Sequence, residues 1–236
     1  MVTPHDHILK QFDVDLRILK DKLLLMASVV EDHITKAIRA LNDRDPRLAE
    51  EVVAGDRQVN ILELETDELC LRILALRQPA ASDLRFIAAS LKIVVDLERV
   101  GDLSVNMAER AEALARSPQL LPTFDLTRIA DATQGMLKDS LDAFVRADAA
   151  LASSVLSRDD VVDQLFVEAF RFMVDAMKKD PANVERALGL LFIAKHLERI
   201  ADHSTNIAEM VVFLAEGKDV RHRFSVEERL RRSESE

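Results

Sequence analysis

The sequence predicts an all-α protein made of two tandem three-helix bundles related by internal duplication. Apolar residues recur at helical spacing along most of the chain, with no alternating segment bounded by turn residues. Only five glycines and six prolines, with no tryptophan or tyrosine, leave little for the turns of an all-β fold. A repeat supplies the architecture. Leu97-Glu98-Arg99-Val100-Gly101-Asp102-Leu103-Ser104-Val105-Asn106-Met107-Ala108-Glu109 returns 100 residues later as Leu197-Glu198-Arg199-Ile200-Ala201-Asp202-His203-Ser204-Thr205-Asn206-Ile207-Ala208-Glu209.

Helices are expected at about 5–42, 45–77, 81–116, 123–146, 149–179 and 182–216. Asp45-Pro46, Gln78-Pro79, Ser117-Pro118 with Pro122, and Asp180-Pro181 mark the breaks between them. The repeat reaches back into the earlier helices. Shifted by 103 residues, Asp45, Leu48, Ala49, Val52, Asp56, Val59, Asn60, Leu62 and Glu65 fall on Asp148, Leu151, Ala152, Val155, Asp159, Val162, Asp163, Leu165 and Glu168. Three amphipathic helices with short connections fold back on one another and bury a shared seam. The expected organisation is therefore a first bundle over 1–117, a second over 118–217, and a polar, frayed or disordered tail over 218–236.

The seam is legible in the third helix of each half. Ile93, Leu97, Val100, Ser104, Met107, Ala111 and Leu114 follow steps of four and three, as do Ile193, Leu197, Ile200, Ser204, Ile207, Val211 and Leu214. This stripe is core packing.

A net charge of −10 disfavours nucleic acid, which rewards a basic surface, and suits a cation or a basic partner. The single cysteine, Cys70, excludes an internal disulfide and reads as a buried filler between Leu69 and Leu71. The first residues lack the basic-then-apolar layout of a signal peptide. No apolar run approaches the roughly 20 residues that span a bilayer. A cytoplasmic protein is expected.

The repeated carboxylates occupy another face. At about 100° per residue, Glu98, Asp102, Asn106 and Glu109 sit about 100–180° round from the seam, and Glu198, Asp202, Asn206 and Glu209 match them. A second acidic ladder lies on the preceding helix of each half: Asp56 and Asn60 with Glu63 beyond, then Asp159 and Asp163. Carboxylates at i and i+4 repel by a few tenths of a kcal/mol in an isolated helix. Three readings stand. The face is solvated surface; or arginines of neighbouring helices (Arg57, Arg72, Arg85, Arg158, Arg186) pair with it; or a metal lies between the ladders. An all-oxygen site suits Mg²⁺, Mn²⁺ or Fe³⁺.

Enzymatic readings find little support. No histidine follows a glutamate by three residues, as a ferritin-like di-iron site requires. His196 and His203 flank the second motif, but their counterparts are Asp96 and Leu103. There is no phosphate-binding glycine loop and no nucleophile elbow.

From about Phe12 to Gly217 the chain resembles the PhoU family of phosphate-transport regulatory proteins. The resemblance rests on the two Leu-Glu-Arg-x-x-Asp motifs with Asn106 and Asn206, on Pro79-Ala80-Ala81-Ser82-Asp83-Leu84-Arg85, and on Asp56 with Asn60. It implies two three-helix bundles, often paired as a homodimer, that bind iron, zinc, manganese or magnesium ions. Carried over by position, the metal ligands are Glu98, Asp102, Glu198 and Asp202, then Asn106 and Asn206, then Asp56, Asn60, Asp159 and Asp163. Asn60 stands where the second half has Asp163, so the first site is expected to hold metal less tightly or hold fewer ions. The resemblance also implies a non-enzymatic adaptor that represses the phosphate-starvation response and restrains uptake. Its partners would be the ATPase subunit of the phosphate ABC transporter and a sensor histidine kinase, with the membrane reached only through them. The alternative is a carboxylate-bridged metalloenzyme or metal-storage bundle.

Overall fold

The computed structural model describes residues 4–120 and 123–218, with side chains from residue 11 onward. The helices are α1 (Pro4–Asp43), α2 (Pro46–Leu76), α3 (Ala81–Ala115), α4 (Thr127–Arg146), α5 (Ala149–Leu156), α6 (Asp159–Lys179) and α7 (Val184–Glu216). A single 3₁₀ turn, Pro181–Asn183, precedes α7. No strand occurs among the described residues. Most of the tail expected after Gly217, residues 219–236, lies outside them.

The duplication extends to the turns. Arg44 and Ala147, at corresponding positions, both take a left-handed backbone, with φ of 53° and 50°. That conformation costs a non-glycine residue about 1–2 kcal/mol. An aspartate follows each: Asp45 accepts from the Arg47 amide at 3.0 Å, and Asp148 accepts from the Ala150 and Leu151 amides at 3.0 Å. Each carboxylate thus occupies the N-cap of the next helix, beside the positive end of its dipole.

One expected helix is two. The span 149–179 breaks at Ser157-Arg158, where its first-half counterpart runs unbroken from 46 to 76. Ser153, Ser154 and Ser157 turn their hydroxyls onto the carbonyls of Ala149, Leu151 and Ser154. Such local bonds compete with the helix ladder, and the next residues, Asp159 and Asp160, favour a fresh helix N-terminus.

The two sets, α1–α3 and α4–α7, share one main core, beside a smaller buried cluster on each side. α3 and α7 form the most extensive helix pair in the molecule, and one apolar cluster runs through α1, α2, α3, α4, α5, α6 and α7. α3 and α7 lie antiparallel: Asp96 meets His203, Arg110 meets Phe192, and Leu114 lies against Gly189. A Cβ at position 189 would come within 3.0 Å of Leu114 Cδ2, so glycine sets this approach. The predicted seam is buried throughout, except for the part-buried Leu114 and Leu214 at its ends. Ser104 and Ser204 stay satisfied inside it by donating to the carbonyls of Val100 and Ile200, each at 2.8 Å. Cys70 is fully buried, and burial pushes its thiol up to about 12.

Candidate functional site

The acidic stripes lie where helical spacing puts them, on α3 and α7 outside the seam, and α2 and α6 supply the second ladders. In the second half the four carboxylates Asp159, Asp163, Glu198 and Asp202 crowd one another. Asp159 is raised from 3.8 to about 6, first by burial and then by Asp202, Asp163, Asp160 and Glu198. Asp202 is raised to about 6 by burial and by Glu198, with Asp163 adding to it and Lys195 and His203 opposing. Asp202 stays exposed enough for water to screen part of this repulsion. Lys195 bridges Glu198, with Nζ 2.6 Å from Oε1 and 2.5 Å from Oε2.

The first half is balanced differently. Arg99 lies 3.4 Å from Glu98 and 3.3 Å from Asp102. Glu98 is nonetheless raised, by burial and by Asp102, and Glu63 is raised by burial and by Asp67. Asn60 donates to Asp56 Oδ2 at 2.9 Å, while Asp56 Oδ1 and Asp67 Oδ1 are buried without a hydrogen-bond partner among the described residues. The Asn60–Asp163 difference is therefore one of charge: an amide donates to its aspartate in one half, where the other half has a further carboxylate.

Ion pairing from within the motif helices neutralises Glu98, Asp102 and Glu198, while two of the neighbouring arginines make bonds elsewhere. Arg158 pairs with Asp139 at 2.7 Å, and Arg186 bonds Ala182 O and Asn183 Oδ1. The counter-ions Arg99 and Lys195 sit one and three residues from their acids, a spacing visible in the sequence. Asn206 is also placed differently: its Nδ2 donates to Asp96 Oδ1 on α3 at 3.1 Å. Asn106 is exposed. Glu63 and Asp67 continue the α2 ladder by helical steps from Asp56, and that periodicity was the signal for them.

The donor set matches a hard cation in chemistry, all oxygen and largely anionic. Its spacing is looser: among the described residues, no three His, Cys, Asp or Glu side chains converge tightly enough to hold a metal ion as they stand.

The family model of the PhoU domain matches twice, over residues 23–111 and 126–211. The chain belongs to the PhoU family. It is 43% identical over 217 residues to the phosphate-specific transport system accessory protein PhoU homolog of Pseudomonas aeruginosa, covering 92% of this chain and 90% of that protein. The homolog from Aquifex aeolicus is 41% identical over 208 residues, covering 88% and 94%. The crystal structure of PhoU from Pseudomonas aeruginosa superposes with a TM-score of 0.85 at 42% identity, covering 88% of this chain and all of that one. The phosphate transport system regulatory protein PhoU from Streptococcus pneumoniae gives 0.81 at 30% identity, covering 89% and 99%. These PhoU relatives carry the names of accessory and regulatory proteins, not of enzymes, in line with the non-enzymatic reading. Among the described residues no helix is long and apolar enough to cross a membrane.

The raised carboxylates fix the sign of a pH effect at this PhoU acidic face. Asp159 and Asp202 bind protons near pH 6 when folded and near 3.8 when unfolded, so the folded state holds more protons between those values. Stability contributed here is present at low pH and is lost as pH rises from about 4 through about 6. In chelator-treated protein, Asp159→Asn with Asp202→Asn should therefore raise Tm above wild type at pH 7.5. That advantage should shrink toward zero by pH 5. An advantage constant across this range would mean that the carboxylates do not repel one another.

Proposed function

We propose that this protein is an accessory regulator of phosphate transport. Two matches to the PhoU domain, within a chain aligned to nearly the whole length of relatives named as phosphate-specific transport accessory proteins, carry this reading. It acts as a negative regulator of the phosphate-starvation response and restrains uptake. It works in the cytoplasm as a homodimer, contacting the ATPase subunit of the phosphate ABC transporter and a sensor histidine kinase. A mostly acidic surface favours fast encounter with basic patches on such partners.

The acidic stripes hold metal ions, with the second half the stronger site. Asp159, Asp163, Glu198 and Asp202 supply the oxygens, and a cation there would offset the repulsion that raises Asp159 and Asp202. Mn²⁺, Mg²⁺ or Fe³⁺ suits such donors. The first half offers Glu98, Asp102, Asp56 and the Asn60 amide, with Arg99 already supplying positive charge.

Deleting the gene should derepress phosphate-starvation genes in phosphate-rich medium, restored by the intact gene in trans. Transcript levels that stay repressed in the deletion strain would refute the regulatory reading.

A further inference from the structure

The duplication gives the helix assembly two matching ends, and they are filled differently. Near the start of α3, Phe86 stacks on Phe144 of α4, with ring centroids 5.6 Å apart and planes 11° from parallel. The repeat carries Phe86 forward to Arg186, 100 residues on, and Phe144 back to Leu41, 103 residues before it. Two stacked rings at one end thus correspond to an arginine and a leucine at the other. Both of these line a cavity of about 360 Å³ between the start of α7, the end of α1 and the connection from α3 to α4. A space of this size lies in the range of small-molecule sites. Gln119 and Thr123 on its wall are exposed, so it reaches solvent.

The wall is amphipathic. Leu41, Leu114, Phe124 and Leu190 present apolar surface, and Arg44 and Arg186 bring two guanidinium groups. Arg44 Nη2 donates to the carbonyls of Leu114 at 3.0 Å, of Ala115 at 2.9 Å and of Ser117, around the end of α3. Arg186 Nη2 donates to the Ala182 carbonyl at 2.8 Å and to Asn183 Oδ1 at 2.7 Å. These partners are all neutral oxygens, and each guanidinium carries further N–H donors beyond Nη2. One carboxylate, Asp125, shares the wall and accepts from the Thr127 amide at 2.8 Å. Two guanidiniums against one carboxylate make a positive site on a chain of net charge −10. At the matching end the counterparts of the arginines, Ala147 and Phe86, are uncharged.

We propose that this cavity binds a small aromatic anion. Its ring lies against Leu41, Leu114 and Phe124, in the place that the Phe86–Phe144 stack takes at the other end. Its carboxylate or phosphate is received by Arg44 and Arg186, whose planar guanidiniums suit a bidentate oxyanion. Arg44 already bonds the end of α3, so part of the site is ordered before the ligand arrives. Leu41 and Arg44 belong to the first half and Arg186 and Leu190 to the second, so a bound ligand ties the halves together. The cavity shares no residue with the acidic stripes, and the proposal does not depend on the regulatory reading.

The test titrates the full chain with benzoate, phenylacetate and adenosine monophosphate, each beside its uncharged twin: benzamide, phenylacetamide and adenosine. In isotope-edited NMR an acid should shift the Leu41, Phe124 and Leu190 signals saturably, and its twin should bind about tenfold more weakly or worse. Binding by either class of acid supports the proposal, and the tighter class tells a carboxylate source from a nucleotide one. Arg186→Gln should remove most of the difference between acid and twin. Leu41→Phe with Arg186→Phe rebuilds the aromatic plug of the other end and should abolish binding while the protein stays folded by circular dichroism. If that double variant does not fold, Arg186→Gln alone decides. Saturable shifts by none of the acids, or equal affinity of acid and twin, would overturn the proposal. So would undiminished binding to a folded double variant, or inorganic phosphate binding there as tightly as the aromatic acids. None of these outcomes alters the gene-deletion result.

Discussion

Leu197→Ala should lower stability by about 3–5 kcal/mol, or about 6–20 °C in Tm, and should do so for the whole molecule in a single transition. Leu197 is fully buried on α7, within the apolar cluster that joins both halves. Removing it leaves a cavity that neither half can close alone. Leu97→Ala, at the matching position, should behave alike. Calorimetry and helix-sensitive circular dichroism should give coincident single transitions. Two resolved transitions would show that the halves fold independently. The same reasoning predicts that residues 1–117 alone do not fold stably, because the part of the shared apolar cluster that α7 covers on α3 would face water. Division of the chain near 117 would then be a division of ancestry and not of stability.

Replacing Asp159, Asp163 and Asp202 by asparagine and Glu198 by glutamine should reduce bound metal at the second stripe to background. Unlike most substitutions that remove a function, these should raise the Tm of the metal-free protein. Function and stability pull in opposite directions wherever like charges are gathered to meet a ligand. Mn²⁺ titration by calorimetry, with metal content by mass spectrometry, checks the first part; thermal melts in chelator check the second. Glu98→Gln with Asp102→Asn should have a smaller effect on both, since Arg99 already offsets those acids and Asn60 adds an amide where the second half has a carboxylate. Metal content unchanged in the fourfold variant would remove the carboxylates from the metal reading.

Much of this was legible because two periodicities overlap on α3 and α7. The steps from Ile93 to Leu114 and from Ile193 to Leu214 define the buried seam, and every acid named off that seam lies off it in the structure. The break at Ser157 was not legible. Nothing in the apolar spacing of 149–179 stops a helix there, and the deciding bonds are local hydroxyl-to-carbonyl contacts with no periodic signature. Arg99 and Lys195 stand outside the set of counter-ions expected from the sequence, for a related reason. Cross-helix distance cannot be read from one helix's pattern, whereas Arg99 and Lys195 needed only the neighbouring turn. The fusion of the two cores was hidden as well. A stripe that buries itself within its own bundle looks, in sequence, like one that also faces a second bundle.

The antiparallel α3–α7 pair has a consequence for how such a protein can diverge. Two identical single-repeat chains meeting across this seam would be bound by symmetry: any change at one end would appear at the other. Joining them in one chain removes that constraint. Asp96 and His196 record the freedom gained, one end closed on itself by an internal carboxylate and the other left cationic and apolar. A duplicated scaffold can in this way keep a common interior while its two ends differ in chemistry.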